Sequence, residues 1–257
     1  MSTPNSPNAA TRFSNRVENY VKFRPSYPEA VVTVLTRECG LQPDFIVADA
    51  GSGTGISAEI FLKHGCTVCG VEPNKEMREA AERLLAAYPN FKSIDANAEQ
   101  TSLPSESADL VVAAQAFHWF DAAMAQKEFH RILKPNGYVV LMWNDRNITA
   151  TPFLAAYDRF LHDCGTDYAA VNHKNIDDEK LKSFFAAGYK TIALENVQTF
   201  GYDGLKGRVL SSSYMPGSES HPKYAEMISA LEHLFAAHTE NGTVTLHYDT
   251  KLYIGKI

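Results

Sequence analysis

The chain has few cysteines, no long apolar run and no surplus of positive charge, and each shortage removes a class of function. Four cysteines in 257 residues are too few for the disulfide framework of a small secreted domain. No stretch approaches the roughly 20 apolar residues of a membrane span. Residues 1–11 are rich in Ser, Pro and Asn and have neither the basic nor the apolar region of a secretory signal. The reading is therefore a cytoplasmic protein with reduced thiols behind a short disordered tail. Thirty acidic against 24 basic side chains give a formal charge of −6, which argues against binding nucleic acid or an anionic membrane. There is no His-x-x-x-His pair for a metal hydrolase and no Gly-x-Ser-x-Gly for an α/β-hydrolase. Cys66-Thr67-Val68-Cys69 has no second pair, and on a strand its thiols face opposite sides, so no metal is expected.

What is there is an ordinary globular composition, 45% apolar and 21% charged, long enough for one large domain or two small ones. Strand and helix signals alternate through the first half. Apolar runs at Phe45–Ala50, Cys66–Glu72, Phe91–Ile94, Ala108–Ala114 and Tyr138–Trp143 read as strands. Ile56–His64, Asn74–Ala87 and Ala122–Leu133 read as the helices between them, and Lys134-Pro135-Asn136-Gly137 as a stop signal. Such alternation predicts a parallel sheet with right-handed crossovers. Beyond Arg146 the rhythm changes to helices at Thr151–Cys164, Asp177–Ala187 and Lys223–His238, with strands at Tyr189–Phe200 and Thr243–Ile257. That tail has no glycine-rich turn of its own. The expectation is a single α/β domain over 12–257. Its core runs from about 40 to 146, and residues 147–257 supply helical cover and two last strands.

The most informative stretch is Val47-Ala48-Asp49-Ala50-Gly51-Ser52-Gly53-Thr54-Gly55. A strand runs into three alternating glycines and a helix starts at once. Glycines let the backbone take positive φ and let a ligand approach it closely, and the helix start offers unpaired N–H groups. A dinucleotide fingerprint would place its third glycine where Ile56 stands. Glu72 closes the second strand, where a carboxylate can accept from both ribose hydroxyls. Asp95 closes the third, as a ligand contact or as a helix cap.

Asp49 with the glycines resembles motif I of the class I S-adenosylmethionine-dependent methyltransferases. Phe117-His118-Trp119 after the fourth strand resembles the small-molecule members of the methyltransferase type 11 group, including relatives of trans-aconitate methyltransferase. Tyr20 with Arg24-Pro25-Ser26-Tyr27-Pro28, Gly204–Arg208 and Ser212–Pro216 resemble it more weakly. The resemblance implies a Rossmann-like, doubly wound, seven-stranded sheet, mostly parallel with one antiparallel strand near the edge, under a helical lid. It implies S-adenosylmethionine as cofactor and S-adenosylhomocysteine as product. Asp49, Gly51, Gly53, Gly55, Glu72, Pro73, Met77, Asp95, Ala96, Asn97 and Gln115 would bind the cofactor. No Asn/Asp-Pro-Pro-Tyr/Phe motif of the adenine and amide methylases follows the fourth strand.

A sulfonium is already activated, so alignment and exclusion of water are the main tasks. A base is needed only for an acceptor protonated at neutral pH, and His118 is the candidate, or else it is bonded within its loop. A carboxylate acceptor would need a cation, which Arg24, Arg146 or Arg208 could supply. Tyr20, Trp119, Trp143 and Tyr214 are further substrate candidates, with core packing the other reading for the tryptophans. The expected acceptor is a small molecule methylated on oxygen, by a monomer or homodimer. A nicotinamide-dependent oxidoreductase and a catalytically silent methyltransferase-like protein are the alternatives.

Overall fold

A computed structural model describes residues 17–166, 168 and 178–257; the expected tail at 1–11 lies outside them. Helices α1 (Val17–Phe23) and α2 (Ala30–Cys39) come first. The alternating half follows as β1 (Ile46–Ala50), α3 (Ile56–His64), β2 (Thr67–Val71), α4 (Lys75–Leu84), β3 (Phe91–Ile94), β4 (Ala108–Ala114), α5 (Ala122–Ile132) and β5 (Leu133–Arg146). The remainder is α6 (Pro152–Cys164), α7 (Asp178–Phe184), β6 (Tyr189–Phe200), α8 (Tyr202–Leu210), α9 (Tyr224–His238) and β7 (Val244–Gly255). All seven strands share one sheet in the order β3-β2-β1-β4-β5-β7-β6. β1 to β5 pair in parallel, while β7 runs antiparallel between β5 and β6. This is the expected Rossmann-like sheet.

The central strands are apolar on both sides because helices cover both faces. One face packs Val47, Val68, Leu110, Val112 and Val140 under α2 and α3. The other packs Ala48, Val111, Val139 and Leu141 under α5 and α7. The chain leaves β1 for β2 on one side and later returns to β4 on the other. A crevice therefore opens at the carboxyl ends of β1 and β4, the usual ligand position in such sheets.

The last two strands do more than extend that sheet. β5 pairs with β7 only as far as Arg146 opposite Tyr248. Beyond it, Val197–Phe200 of β6 and Val244–His247 of β7 continue as a two-stranded ribbon. A third apolar cluster builds on that ribbon, joining Leu154, Tyr157 and Leu161 of α6, Leu205 and Val209 of α8, and Met227 and Leu231 of α9 to Val244, Leu246 and Tyr248. The helical cover thus hangs over the carboxyl edge of the parallel strands.

Two features depart from the sequence reading. β5 begins at Leu133, with a register shift between Ala108–Leu133 and Leu110–Tyr138. The Lys134–Gly137 stop signal survives as that irregularity, which is where a strand tolerates Pro135. Helices α1, α2 and α8 were not expected. α2 is rich in Val and Thr, and α8 carries two glycines, both poor in helix propensity. In α8 the reason is packing, since a Cβ at Gly207 would stand 2.1 Å from the Phe23 ring. No helix among the described residues is long and apolar enough to cross a membrane.

Candidate active site

Asp49 lies near the end of β1 and is fully buried. Its Oδ2 accepts a hydrogen bond from Ser57 Oγ at 2.6 Å, while Oδ1 has no partner. Burial pushes its carboxyl up to about 7, the Ser57 bond pulling the other way. A buried carboxylate oxygen left unsatisfied is costly. A ligand bringing an ammonium group would remove that cost.

The turn after β1 is shaped for close approach. Gly51 has φ +70°, and a Cβ there would meet the Ala116 Cβ at 2.6 Å. Gly53 N–H donates to Glu72 Oε2 at 3.0 Å, and Asn74 N–H donates to Oε1 at 2.8 Å. Each oxygen of Glu72 keeps a further lone pair for a ligand hydroxyl. Burial raises the Glu72 carboxyl above the usual range, the two N–H groups and Arg78 opposing it. Met77 places its Cε 3.7 Å from the Cβ position of Gly53. Gly55 turns the other way, since a Cβ on it would strike Leu85 of the 85–90 connection at 2.6 Å. Its missing side chain thus serves the packing of α3 against α4.

At the end of β3, Asp95 is 72% exposed and pairs with Arg78 Nη2 at 2.7 Å. Arg78 Nη1 also donates to the Glu72 carbonyl at 2.8 Å, so it braces two strand ends together. Sequence reasoning missed it. Ala96 N–H donates to the Ile94 carbonyl and Asn97 Oδ1 accepts from Gln100 N–H. Pro73 is exposed beside them.

A cavity of about 1150 Å³, counting its open mouth, begins at Gly51–Thr54 and Ile56–Ser57 and runs past Gln115, His118 and Trp119 at the end of β4. Gln115 holds φ +57° and its N–H donates to the Met142 carbonyl at 2.8 Å. Non-glycine residues in that region carry strain that concentrates at functional sites. Tyr20, Arg24 and Tyr27 close one side of the cavity, and Tyr168, Arg208 and Tyr214 close the far end. The Arg24–Tyr27 strap is tied down by the Ser26 carbonyl, which accepts from Asn144 Nδ2 at 3.3 Å and Asn196 Nδ2 at 2.7 Å.

Of the candidate residues, Gly51, Gly53, Gln115, His118, Trp119, Tyr20, Arg24 and Tyr214 line this one cavity, as do Arg146 and Arg208. Asp49 stands directly behind it through Ser57. Glu72, Pro73, Met77, Asp95, Ala96 and Asn97 lie outside its lining, along the outer side of the turn. Trp143 is a correction. It is buried on the opposite sheet face, edge-on to Phe117 at 6.4 Å and Tyr253 at 5.7 Å. Neighbouring residues on a strand face opposite ways, so Asn144 and Arg146 reach the cavity and Trp143 does not. Tyr27 of the Arg24–Pro28 string also lines it, as do Ser57, Asn144, Tyr168 and Tyr248, which were not singled out. Among the described residues no cluster of His, Cys, Asp and Glu could hold a metal ion.

The far end is basic. Arg24 Nη2 donates to the Ser211 carbonyl at 3.0 Å, and its guanidinium lies 4.9 Å from the Tyr20 ring. Arg208 is 4% exposed and donates from Nη1 to Ser212 Oγ at 3.1 Å and from Nε to Tyr248 OH at 3.4 Å. Arg146 donates to Tyr168 OH and stands 3.6 Å from Asp158 Oδ1. Burial works to raise the Tyr214 phenol, but Arg146, Arg208 and Arg24 outweigh it and bring it down to about 7.

Residues 48–141 match the methyltransferase domain family. A methyltransferase-like protein of Schizosaccharomyces pombe is 34% identical over 150 residues, 58% of this chain and 57% of that protein. The aligned region thus spans little more than half of that relative. A Dictyostelium discoideum protein described as a methyltransferase is 30% identical over 190 residues, 71% of this chain and 70% of that one. The chain belongs to the class I S-adenosylmethionine-dependent methyltransferases. A solved methyltransferase from Geobacter sulfurreducens, in complex with S-adenosyl-L-homocysteine, shares the fold at 16% identity, with a TM-score of 0.54 over 95% of this chain and 96% of that one. For a methyltransferase the unpartnered Asp49 oxygen and the crowded Gly51 have a direct use. They fit a cofactor whose amino-acid end carries an ammonium and must lie against bare backbone. That membership displaces the nicotinamide alternative.

Proposed function

We propose that this protein transfers the methyl group of S-adenosylmethionine to an oxygen of a small acceptor. The observation that carries the reading is the single cavity joining the glycine turn to the three arginines. When bound, S-adenosylmethionine supplies an activated methyl group. Asp49 would hold the ammonium through its free Oδ1, Gly51 and Gly53 would leave room for the amino-acid end, and Glu72 would accept from the ribose hydroxyls. Met77, Pro73 and the Asp95–Asn97 turn are the residues that would hold the base. Gln115 and the Phe117–Trp119 turn separate this end from the acceptor.

The acceptor enters at the Arg24, Arg146 and Arg208 end, under Tyr20 and Tyr214. A carboxylate is nucleophilic as it stands and needs only placement by guanidinium groups. A hydroxyl acceptor would give its proton to His118, which lines the same cavity. The strap and the helical cover exclude water. The chain's formal charge is −6, so the reading is small-molecule chemistry by a cytoplasmic monomer or homodimer, without nucleic acid or membrane.

The test is transfer from methyl-labelled S-adenosylmethionine into a cell-extract metabolite pool by the purified chain. Label is expected in small molecules, as an alkali-labile ester or a stable ether. Label on nitrogen, on carbon or on macromolecules would contradict the reading, and no transfer at all would favour a silent binding protein.

A further inference from the structure

The strap is fastened by its backbone carbonyls to side chains of the sheet. Helix α1 ends at Phe23, and the last carbonyls of a helix have no partner within it. The Phe23 carbonyl accepts from Gln198 Nε2 at 3.3 Å. The Ser26 carbonyl accepts from Asn196 Nδ2 at 2.7 Å and from Asn144 Nδ2 at 3.3 Å. Asn196 and Gln198 hold alternate positions on the edge strand β6, so they present one face. Gln198 is set in its donating orientation from behind, because its Oε1 accepts from Tyr248 OH at 3.0 Å. Asn144 is set likewise, its Oδ1 accepting from the Thr250 hydroxyl and from Asn196 Nδ2 at 3.2 Å.

The fastened strap reaches both ends of the cavity. Tyr27 is buried, and burial, with Tyr20 and Asp49 close by, pushes its phenol well above the ordinary range. The carboxylate that suits a cofactor ammonium is therefore near the strap. At the other end, burial and the neighbouring Arg208 pull the Arg24 guanidinium below its ordinary value. Seating the strap sets two like charges together, and the buried Arg24 Nε makes no hydrogen bond, both of which cost free energy. The Tyr20 ring, the Ser211 carbonyl and the seat of Phe23 over Gly207 offset part of that cost. The amide bonds from β5 and β6 add to them, each of modest net strength. Such a strap can open without disturbing the sheet.

We propose that Asn196 and Gln198 are positioning residues that latch the strap through its carbonyls, and that release of this latch sets the rate of cofactor exchange. Neither residue is part of the cavity lining, so each acts through the strap residues Arg24 and Tyr27, which are. The latch joins strap backbone to β6 side chains and holds with the cavity filled or empty. It therefore slows entry and exit alike and leaves affinity nearly unchanged. A residue that only supported the fold would move stability and neither rate. A residue that touched the cofactor would move exit alone.

The test uses the full chain with Asn196→Asp, Gln198→Glu and the double variant, which keep side-chain size and lose the donated N–H groups. Association and dissociation rates of S-adenosylhomocysteine are read by stopped-flow fluorescence. Each single variant is expected to raise both rates about 5-fold and the double variant about 25-fold, with Kd within about threefold of wild type. Tryptic cleavage after the exposed Lys22, beside the strap, reads the open state without any ligand and should quicken by similar factors. Glu195→Gln, exposed on the other face of β6, should change none of these. Unchanged rates in the double variant, or a faster exit with unchanged entry, would overturn the proposal. Should the variants fail to fold, the wild type decides. Because Tyr20 and Tyr27 line the cavity, saturating S-adenosylhomocysteine should slow cleavage after Lys22 by about tenfold or more. Cleavage at the ligand-free rate would overturn it.

Discussion

The two ends of the cavity are built by opposite means. The cofactor end is made from backbone and one local stretch of chain: Asp49, the turn at Gly51 and Gly53, and Glu72 hooking that turn through two N–H groups. The other end, proposed for the acceptor, is made from long side chains that meet from distant places, Arg24 before α2, Arg146 at the end of β5 and Arg208 in α8. One end presents an unsatisfied acid, the other unsatisfied bases. The difference teaches that the cofactor site is a property of a βα turn and tolerates little change. The arginine end joins a strap, the end of a sheet strand and a helix of the cover, so it depends on tertiary assembly and not on one turn.

The largest effect should come from breaking the backbone end. Gly51→Ala adds a Cβ at φ +70° and 2.6 Å from Ala116, so it should lower stability by roughly 2–4 kcal/mol. Denaturant melts would show it, beside Gly40→Ala, which has φ +68° but nothing within 4 Å and should cost about 1–2 kcal/mol. Equal losses at the two sites would remove the argument for close approach.

Asp49→Asn should separate stability from binding. The buried carboxyl is raised to about 7, above its unfolded value. Between the two values the folded chain holds a proton that the unfolded chain has lost, so stability declines as pH rises through that window. The substitution should therefore raise stability at pH 8 by roughly 1–3 kcal/mol and weaken the binding of S-adenosylhomocysteine. Thermal melts at pH 5 and 8 would check it, the gain being larger at pH 8.

Tyr214 sharpens the contrast from the basic end. It faces Arg24 of the strap, Arg146 of β5, Arg208 and Ser212 of the α8 region, and Tyr168. Its phenol sits at about 7, so above that pH a phenolate competes with an anionic acceptor. Acceptor affinity should fall up to about tenfold per pH unit above it, and Tyr214→Phe should flatten the profile. A flat wild-type profile would remove Tyr214 from the account. The smallest effect is expected at Trp143→Phe, which should cost about 1 kcal/mol or so of stability and leave the KM for acceptor unchanged, because the side chain lies across the sheet.

Legibility in the sequence follows the same division. The strands, the turn and the acids at their ends announce themselves in consecutive residues, since a buried parallel strand and a glycine turn are local patterns. Asp95 directly follows β3 as the strand reading has it, yet its exposed pairing with Arg78 depends on a helix that a strand-end rule does not see. At β5 the expected strand stopped at Trp143. Carrying it to Arg146 would have put Asn144 and Arg146 on the face of Val140 and Met142 and removed Trp143 from the site by parity alone. Tyr157, Tyr168 and Tyr248 carry no local signal, because only the ribbon of β6 and β7 brings α6 and α8 over the crevice.

The most direct test of the two-ended account is a side-by-side calorimetric titration of S-adenosylhomocysteine into the wild type, Asp49→Ala and Arg208→Gln. The account predicts one site per chain in the wild type, an affinity about 100-fold weaker in Asp49→Ala, and a value within about threefold of wild type in Arg208→Gln. No binding to the wild type at millimolar ligand, or equal weakening by the two substitutions, would contradict it.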